Sequence, residues 1–149
     1  MANAQFIHRW FEEVWNNKNE DAIDEMLAED GVGYGLGGED IVGPENFKVF
    51  HRAFVSAYPD LTVTVVDTVV EGDKIAARCK VTGSHDGHGI GLAPTNQPVE
   101  FTGMLIVRVK DGKIVEAWNE FNFMHAGHSF IVGRLGLNEL SPDWPLIQG

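Results

Sequence analysis

"VEFTGMLIVRVKDGKIVEAWNEFNF", residues 99–123, decides the fold. Its apolar residues recur every second position on either side of Asp111-Gly112, a pair suited to a tight hairpin turn, so the segment predicts two antiparallel strands. In the first strand Leu105, Val107 and Val109 lie opposite Met104 and Ile106. Both faces are apolar, and such a sheet needs cover on both sides. In the second, Trp118, Glu120 and Asn122 share one side, while Ala117, Asn119, Phe121 and Phe123 share the other. Upstream, "LTVTVVDTVVEGDKIAARCKVTG", residues 61–83, repeats the pattern around Glu71-Gly72-Asp73 and predicts a second hairpin.

The period changes before Leu61. Phe6, Ile7, Trp10, Phe11, Val14 and Trp15 recur at three- and four-residue intervals, one face of a first helix. Asn19 is a candidate N-cap for a short second helix with Glu20 and Asp21 in its first turn. Gly43 and Pro44 open a third, on which Phe47, Phe50, His51, Phe54, Val55 and Tyr58 share a face and which Pro59 closes. Between them "GVGYGLGGED", residues 31–40, suggests a weak strand around Val32 and Tyr34, and it lacks the lysine of a phosphate-binding loop. Helices followed by four long antiparallel strands make an α+β domain rather than a βαβ alternation. The helices cover one sheet face, which leaves the outer face to a second subunit and predicts a homodimer.

With 149 residues, 44% of them hydrophobic, the chain is long enough for one domain with a substantial core. Twenty-two acidic against eleven basic residues give a formal net charge of -11, which repels phosphate backbones and argues against nucleic-acid binding. The single cysteine, Cys79, forms no intrachain disulfide and no multi-thiolate metal site, which suits a reducing cytoplasm. No stretch approaches the roughly 20 apolar residues that span a bilayer, and the N-terminus has no signal-peptide pattern. A soluble cytoplasmic protein is the expectation.

The segment "TGSHDGHGIGLAPTNQPVEFTGMLIVRVKDGKIVEAW", residues 82–118, resembles the SnoaL-like polyketide cyclases of the nuclear transport factor 2-like superfamily. It carries their TGxHxG motif, a small-residue loop, the VxFxG strand and the DGKIxExW hairpin. The similarity extends over about residues 5–136, leaving 137–149, "LNELSPDWPLIQG", as a tail that would pack on the barrel or on a partner subunit. The resemblance implies a cone-shaped, cystatin-like barrel: a strongly curved, mainly antiparallel sheet wrapped around the three helices and enclosing a hydrophobic pocket open at one end. It further implies self-association through the outer sheet face.

The resemblance also implies that Trp118, Glu120 and Asn122 surround a small-molecule ligand. Family cyclases use a carboxylate as general acid/base for ring closure; Asn122 stands at one acidic position and Glu120 at another, with Arg78 where related epoxide hydrolases place an arginine. An amide does not shuttle a proton as a carboxylate does, so Glu120 is the candidate acid/base, Arg78 and His85 its tuning partners, and Asn122 an anchor for a substrate oxygen. The plain alternative for Glu120 and Arg78 is a structural ion pair. Strand parity sets His85 opposite Arg78, so bringing them together requires a bulge at Gly83. Trp15, Tyr34, His51 and Phe54, with Phe50 and Phe121, are candidate apolar walls, or ordinary core. The pairs His85/His88 and His125/His128 lack the spacing of a zinc-binding helix, so no metal is expected, and the resemblance implies no cofactor. The expected activity is a cofactor-independent cyclase, isomerase or hydrolase acting on a small, mostly apolar carbonyl or epoxide compound. The alternatives are a noncatalytic carrier of a hydrophobic ligand and an assembly partner with a filled interior.

Overall fold

The structure, a computed structural model, describes residues 2–88 and 93–122. Helix α1 (Ala4–Arg9) runs directly into a π-helical segment, Trp10–Asn16. The expected burial holds across the junction: Ile7, Trp10, Phe11, Val14 and Trp15 are all buried. The hydrogen-bond ladder does not follow the α period, because Asn17 N–H reaches back to Glu12 O at 2.8 Å. Two side chains absorb the consequences. His51 Nε2 donates to the carbonyl of Val14 at 2.6 Å, and Asn16 both donates to Val63 O (3.0 Å) and accepts from Val63 N (2.7 Å), so its amide pairs with an edge strand as a backbone unit would.

Helix α2 (Glu20–Met26) starts at the expected cap, with Asn19 Oδ1 accepting from Asp21 N at 3.1 Å, an interaction of about 1 kcal/mol. Strand β1 (Leu27–Tyr34), longer than the weak strand expected, leads through a loop to β2 (Ile41–Val42) and α3 (Gly43–Ala57), which carries Pro44 in its first turn. The two predicted hairpins follow as β3 (Thr62–Glu71) with β4 (Lys74–Ser84), and β5 (Pro98–Lys110) with β6 (Lys113–Phe121). The second turns on Asp111 and Gly112, whose φ angles of 53° and 76° are both positive, the backbone of a turn matched to strand twist.

The six strands of the described residues lie in the order β2-β1-β6-β5-β4-β3, with β1 and β6 parallel and every other pair antiparallel. This corrects the expected cone-shaped barrel. Among the described residues strands β2 and β3 are the two ends of the order and do not pair with each other, so the sheet is open and mixed, wrapped partly around the helices rather than closed and strongly curved. Closure requires a strand to join the ends; β2, with two residues, offers almost no ladder for one. The α+β order, the three helical stretches and the four long strands stand as expected.

One face of the sheet carries the core. Val63, Ile75, Ala77, Cys79, Val81, Phe101, Leu105, Val107 and Ile114 are buried there against the helices' aromatic residues. Burial pushes the Cys79 thiol up to about 11, so it stays protonated as a packing group. The residues that bracket the tail boundary, 136 and 137, and His125 and His128 lie outside the described residues. No helix among the described residues is long and apolar enough to cross a membrane.

Candidate functional site

The helices do not fill the concave side of the sheet. A cavity remains between Trp10, Trp15, Phe50 and Phe54 on the helical side and Leu105, Ala117 and Phe121 on the sheet, with Leu36 and Ile41 from the β1–β2 connection. About 780 Å³ of atom-free space lies among these side chains and their open mouth, of which about 70 Å³ admits the centre of a water-sized sphere. A single water needs about 10–15 Å³, so the enclosed part has room for a few waters and a larger guest extends into the open mouth. Trp15 is the hinge of its aromatic wall, edge-on to Phe50 at 6.1 Å and to Phe54 at 6.4 Å.

Among the described lining residues Asn119 has the one side chain with a hydrogen-bond acceptor; the other polar side-chain groups are the indole N–H donors of Trp10 and Trp15. Asn119 is 9% exposed. Its Nδ2 donates to the backbone carbonyls of Tyr34 at 2.9 Å and Ala117 at 3.3 Å. Gly35 makes the first of these possible. A Cβ at Gly35 would overlap the carbonyl oxygen of Asn119, and the residue's φ of 78° lies in the left-handed region. Only glycine lets the β1 end pass close enough to hold the amide. A second close approach shapes the floor: the Phe121 ring lies over Gly103, its cross-strand partner, where a Cβ would stand 2.7 Å from Cε1 and closer still to Cγ and Cδ1.

The residues expected in the site divide sharply. Trp15 and Phe54 line the cavity, as do Phe50 and Phe121. Glu120, Asn122 and Arg78 do not; they line a groove on the opposite, outer face of the sheet with Val66, Lys80 and Met104. Arg78 there forms a bidentate pair with Asp67 at 3.2 and 3.0 Å, not with Glu120, and this pairing holds the Asp67 carboxyl below its ordinary range. Trp118 and Tyr34 are also on the outer face, stacked at 5.9 Å, with Tyr34 Oη donating to Glu116 at 3.3 Å. Trp118 is 36% exposed.

The inversion has one cause. On the β5–β6 ladder Val109 pairs with Ile114 but Arg108 pairs with Glu116, so Val115 is an extra residue in β6, a β-bulge. Ile114 is buried in the core; counting by twos from it would carry Trp118, Glu120 and Asn122 inward. The bulge reverses the phase, and Ala117, Asn119 and Phe121 face the cavity instead.

Both histidines are buried outside the cavity wall. His85 is fully buried, and β4 pairs with β5 in unbroken register through Gly83, so the bulge that would have brought it beside Arg78 is absent. It organises a loop: its backbone N–H donates to Gln97 O, its carbonyl accepts from Thr95 and Asn96, its Nδ1 lies 3.2 Å from Thr95 Oγ1, and its ring packs 5.5 Å from that of Tyr58. Gly87 donates to Ala57 O at 3.1 Å, at the end of α3. The TGxHxG motif thus ties the loop after β4 to the end of α3. His51, 2% exposed and 4.9 Å from the Trp15 ring, backs the aromatic wall without lining the cavity; its Nδ1 is buried with no partner among the described residues. Burial holds both imidazoles below their ordinary pKa.

The sequence matches the model of the SnoaL-like polyketide cyclase family over residues 5–128. The chain belongs to the SnoaL-like polyketide cyclase family. Solved structures agree. IdmH from Streptomyces antibioticus, named as a candidate polyketide cyclase, is 28% identical with a TM-score of 0.74, over 85% of this chain and 96% of IdmH. AclR from Streptomyces galilaeus, named as a candidate hydroxylase, is 28% identical with a TM-score of 0.72, over 89% and 93% of the two chains. A SnoaL-like protein from Jannaschia sp. CCS1 shares the fold at 23% identity and a TM-score of 0.74, over 81% of this chain and 85% of that one. No curated protein matches the sequence. The family resemblance read from the TGxHxG and DGKIxExW segments therefore holds.

Proposed function

We propose that this SnoaL-like protein is a cofactor-independent enzyme that closes or isomerises a small, mostly apolar carbonyl compound held in the cavity behind Trp15 and Phe54. The observation that carries the reading is an enclosure of apolar and aromatic side chains into whose described walls one side-chain amide, Asn119, is rigidly set. An aromatic cavity of this kind restricts a flexible chain to few conformers, and bringing two ends of one molecule together is where ring closure gains most of its rate. Asn119 fixes where the one polar patch of the sheet meets the substrate. The carboxylate expected at Glu120 belongs to the outer face, so it takes no part in this reading. A second reading, a noncatalytic carrier of the same ligand, is favoured by the amide itself, which binds a proton's partner without accepting the proton.

One experiment separates the two. Citronellal closes to isopulegol by an intramolecular carbonyl-ene reaction, in which the allylic hydrogen passes to the carbonyl oxygen within the molecule, and NMR follows the closure. Acceleration by the wild type that is lost in Ala117→Leu, which fills the cavity, supports the enzyme. Binding without acceleration supports the carrier, and binding that Ala117→Leu leaves unchanged overturns the cavity as the site.

The outer face supports a second copy of the chain as partner. Val69, Ala76, Ile106, Trp118 and Tyr34 form one continuous row across five strands. Val69 is 70% and Ile106 43% exposed. Rows of mixed charge flank it, Asp67, Arg78 and Glu120 on one side and Glu71, Lys74, Arg108 and Glu116 on the other. An apolar centre with a rim carrying both signs is the make-up of a self-complementary interface. Light scattering of Ile106→Glu should report a folded monomer where the wild type is a dimer; a monomeric wild type overturns the assignment.

A further inference from the structure

The hydrogen-bond bookkeeping of Asn119 says which polar group the ligand carries. A side-chain amide has two N–H donors and one carbonyl acceptor. Both donors of Asn119 are spent, on Tyr34 O at 2.9 Å and Ala117 O at 3.3 Å. Its Oδ1 accepts from none of the described residues, and it is not among the buried polar atoms sealed away without a partner. The assignment of nitrogen and oxygen is fixed by the surroundings. Turning the amide over would set Oδ1 against two carbonyl oxygens, three acceptors facing each other with no proton between them. The amide is also anchored on both sides: Ala117 belongs to its own strand, and Tyr34 is held by the glycine that follows it, whose backbone passes against the carbonyl of Asn119.

We infer that Asn119 Oδ1 is a lone acceptor presented to the cavity, and that the ligand is an apolar molecule bearing a hydroxyl donor, an alcohol or an enol, rather than one recognised through a carbonyl oxygen. The inference rests on the cavity being the ligand site. A hydroxyl placed against Asn119 completes its open acceptor, whereas a ketone oxygen placed there meets another oxygen. For a carbonyl substrate the same geometry favours the enol over the keto form, because only the enol has a proton to give. The selectivity follows from the rule that a buried polar group left without its partner costs more than the hydrogen bond returns.

The test uses two compounds of nearly identical shape, cyclooctanol and cyclooctanone, titrated into the intact protein by calorimetry. The expected result is that the alcohol binds about tenfold more tightly than the ketone, and that Asn119→Leu, close to isosteric and without an acceptor, brings the two to equal affinity. Equal affinity in the wild type, or a preference for the ketone, overturns the inference while leaving the cavity as the site, and needs no variant to fold. Failure of both compounds to bind overturns the cavity reading and the inference together. A preference for the alcohol that survives in folded Asn119→Leu also overturns it, since the acceptor would then be elsewhere.

Discussion

Replacing Gly103 with alanine tests how the cavity floor is built. The added methyl would lie 2.7 Å from Phe121 Cε1 and nearer to two other ring carbons, where ordinary carbon contacts are about 3.5–4.0 Å. The ring must move by about 1 Å or more, and on one side it has Gly103 itself and on the other the cavity. Overpacking of this kind costs about 1–3 kcal/mol. Taking about 2 kcal/mol, Tm should fall by about 4–8 °C for a domain of this size, and the urea midpoint should drop with an unchanged slope. The decisive comparison is a double-mutant cycle with Phe121→Ala. With the ring gone, Gly103→Ala should be neutral or slightly stabilising, since alanine restricts the unfolded strand more than glycine does, and the coupling between the two sites should reach about 2 kcal/mol. Ligand affinity should fall in Gly103→Ala as the ring enters the cavity. An equal loss of stability in both backgrounds, within about 0.5 kcal/mol, would refute the contact as the reason glycine occupies this position.

Deleting Val115 should be far more damaging than Val115→Ala: it removes the bulge, turns Asn119 and Phe121 outward and buries Glu120, so the deletion variant should lose cooperative thermal unfolding where Val115→Ala keeps it. Stability should be complete above about pH 6.5 and decline as the pH falls below it, because the folded pKa of His51 and His85 is depressed and the unfolded chain takes up those protons first; urea titrations across pH 4–8 should show this slope, and His51→Gln, which keeps a donor for Val14 O, should reduce it. Glu120→Gln and Arg78→Ala should leave cyclooctanol affinity unchanged, since both side chains lie on the outer face away from the cavity; a loss of affinity in either, read by calorimetry, would return the outer groove to consideration.

Much of this architecture was legible in residue pattern. The Asn19 cap, the start of α3 at Gly43-Pro44 and the two hairpin turns each follow from local chemistry that tertiary packing had no reason to override. The site was less accessible. Hydrophobicity alone favours Ala117, Phe121 and Phe123 over Trp118, Glu120 and Asn122 as the inner side of β6, and it was right at the first two; Phe123 lies outside the described residues. The family resemblance pointed the other way because it fixes residue types along the strand without fixing the pleat. A bulge leaves little trace in sequence, here only two adjacent β-branched residues, Ile114 and Val115, at the start of the strand. Asn119 was overlooked for the same reason, since with Trp118, Glu120 and Asn122 expected around the ligand it fell on the opposite side of the strand. The open sheet could not be foreseen either, since whether the ends meet depends on the two-residue length of β2.

The extra residue at Val115 acts as a vernier between motif and chemistry. Two proteins with the same glycine-lysine-isoleucine turn and the same tryptophan, differing by one residue between them, would expose opposite halves of the strand to their guests, one offering acids and the other amides. Divergence of activity on such a scaffold then requires no change of side chain at all, only a single-codon insertion that swaps which set of side chains the guest meets.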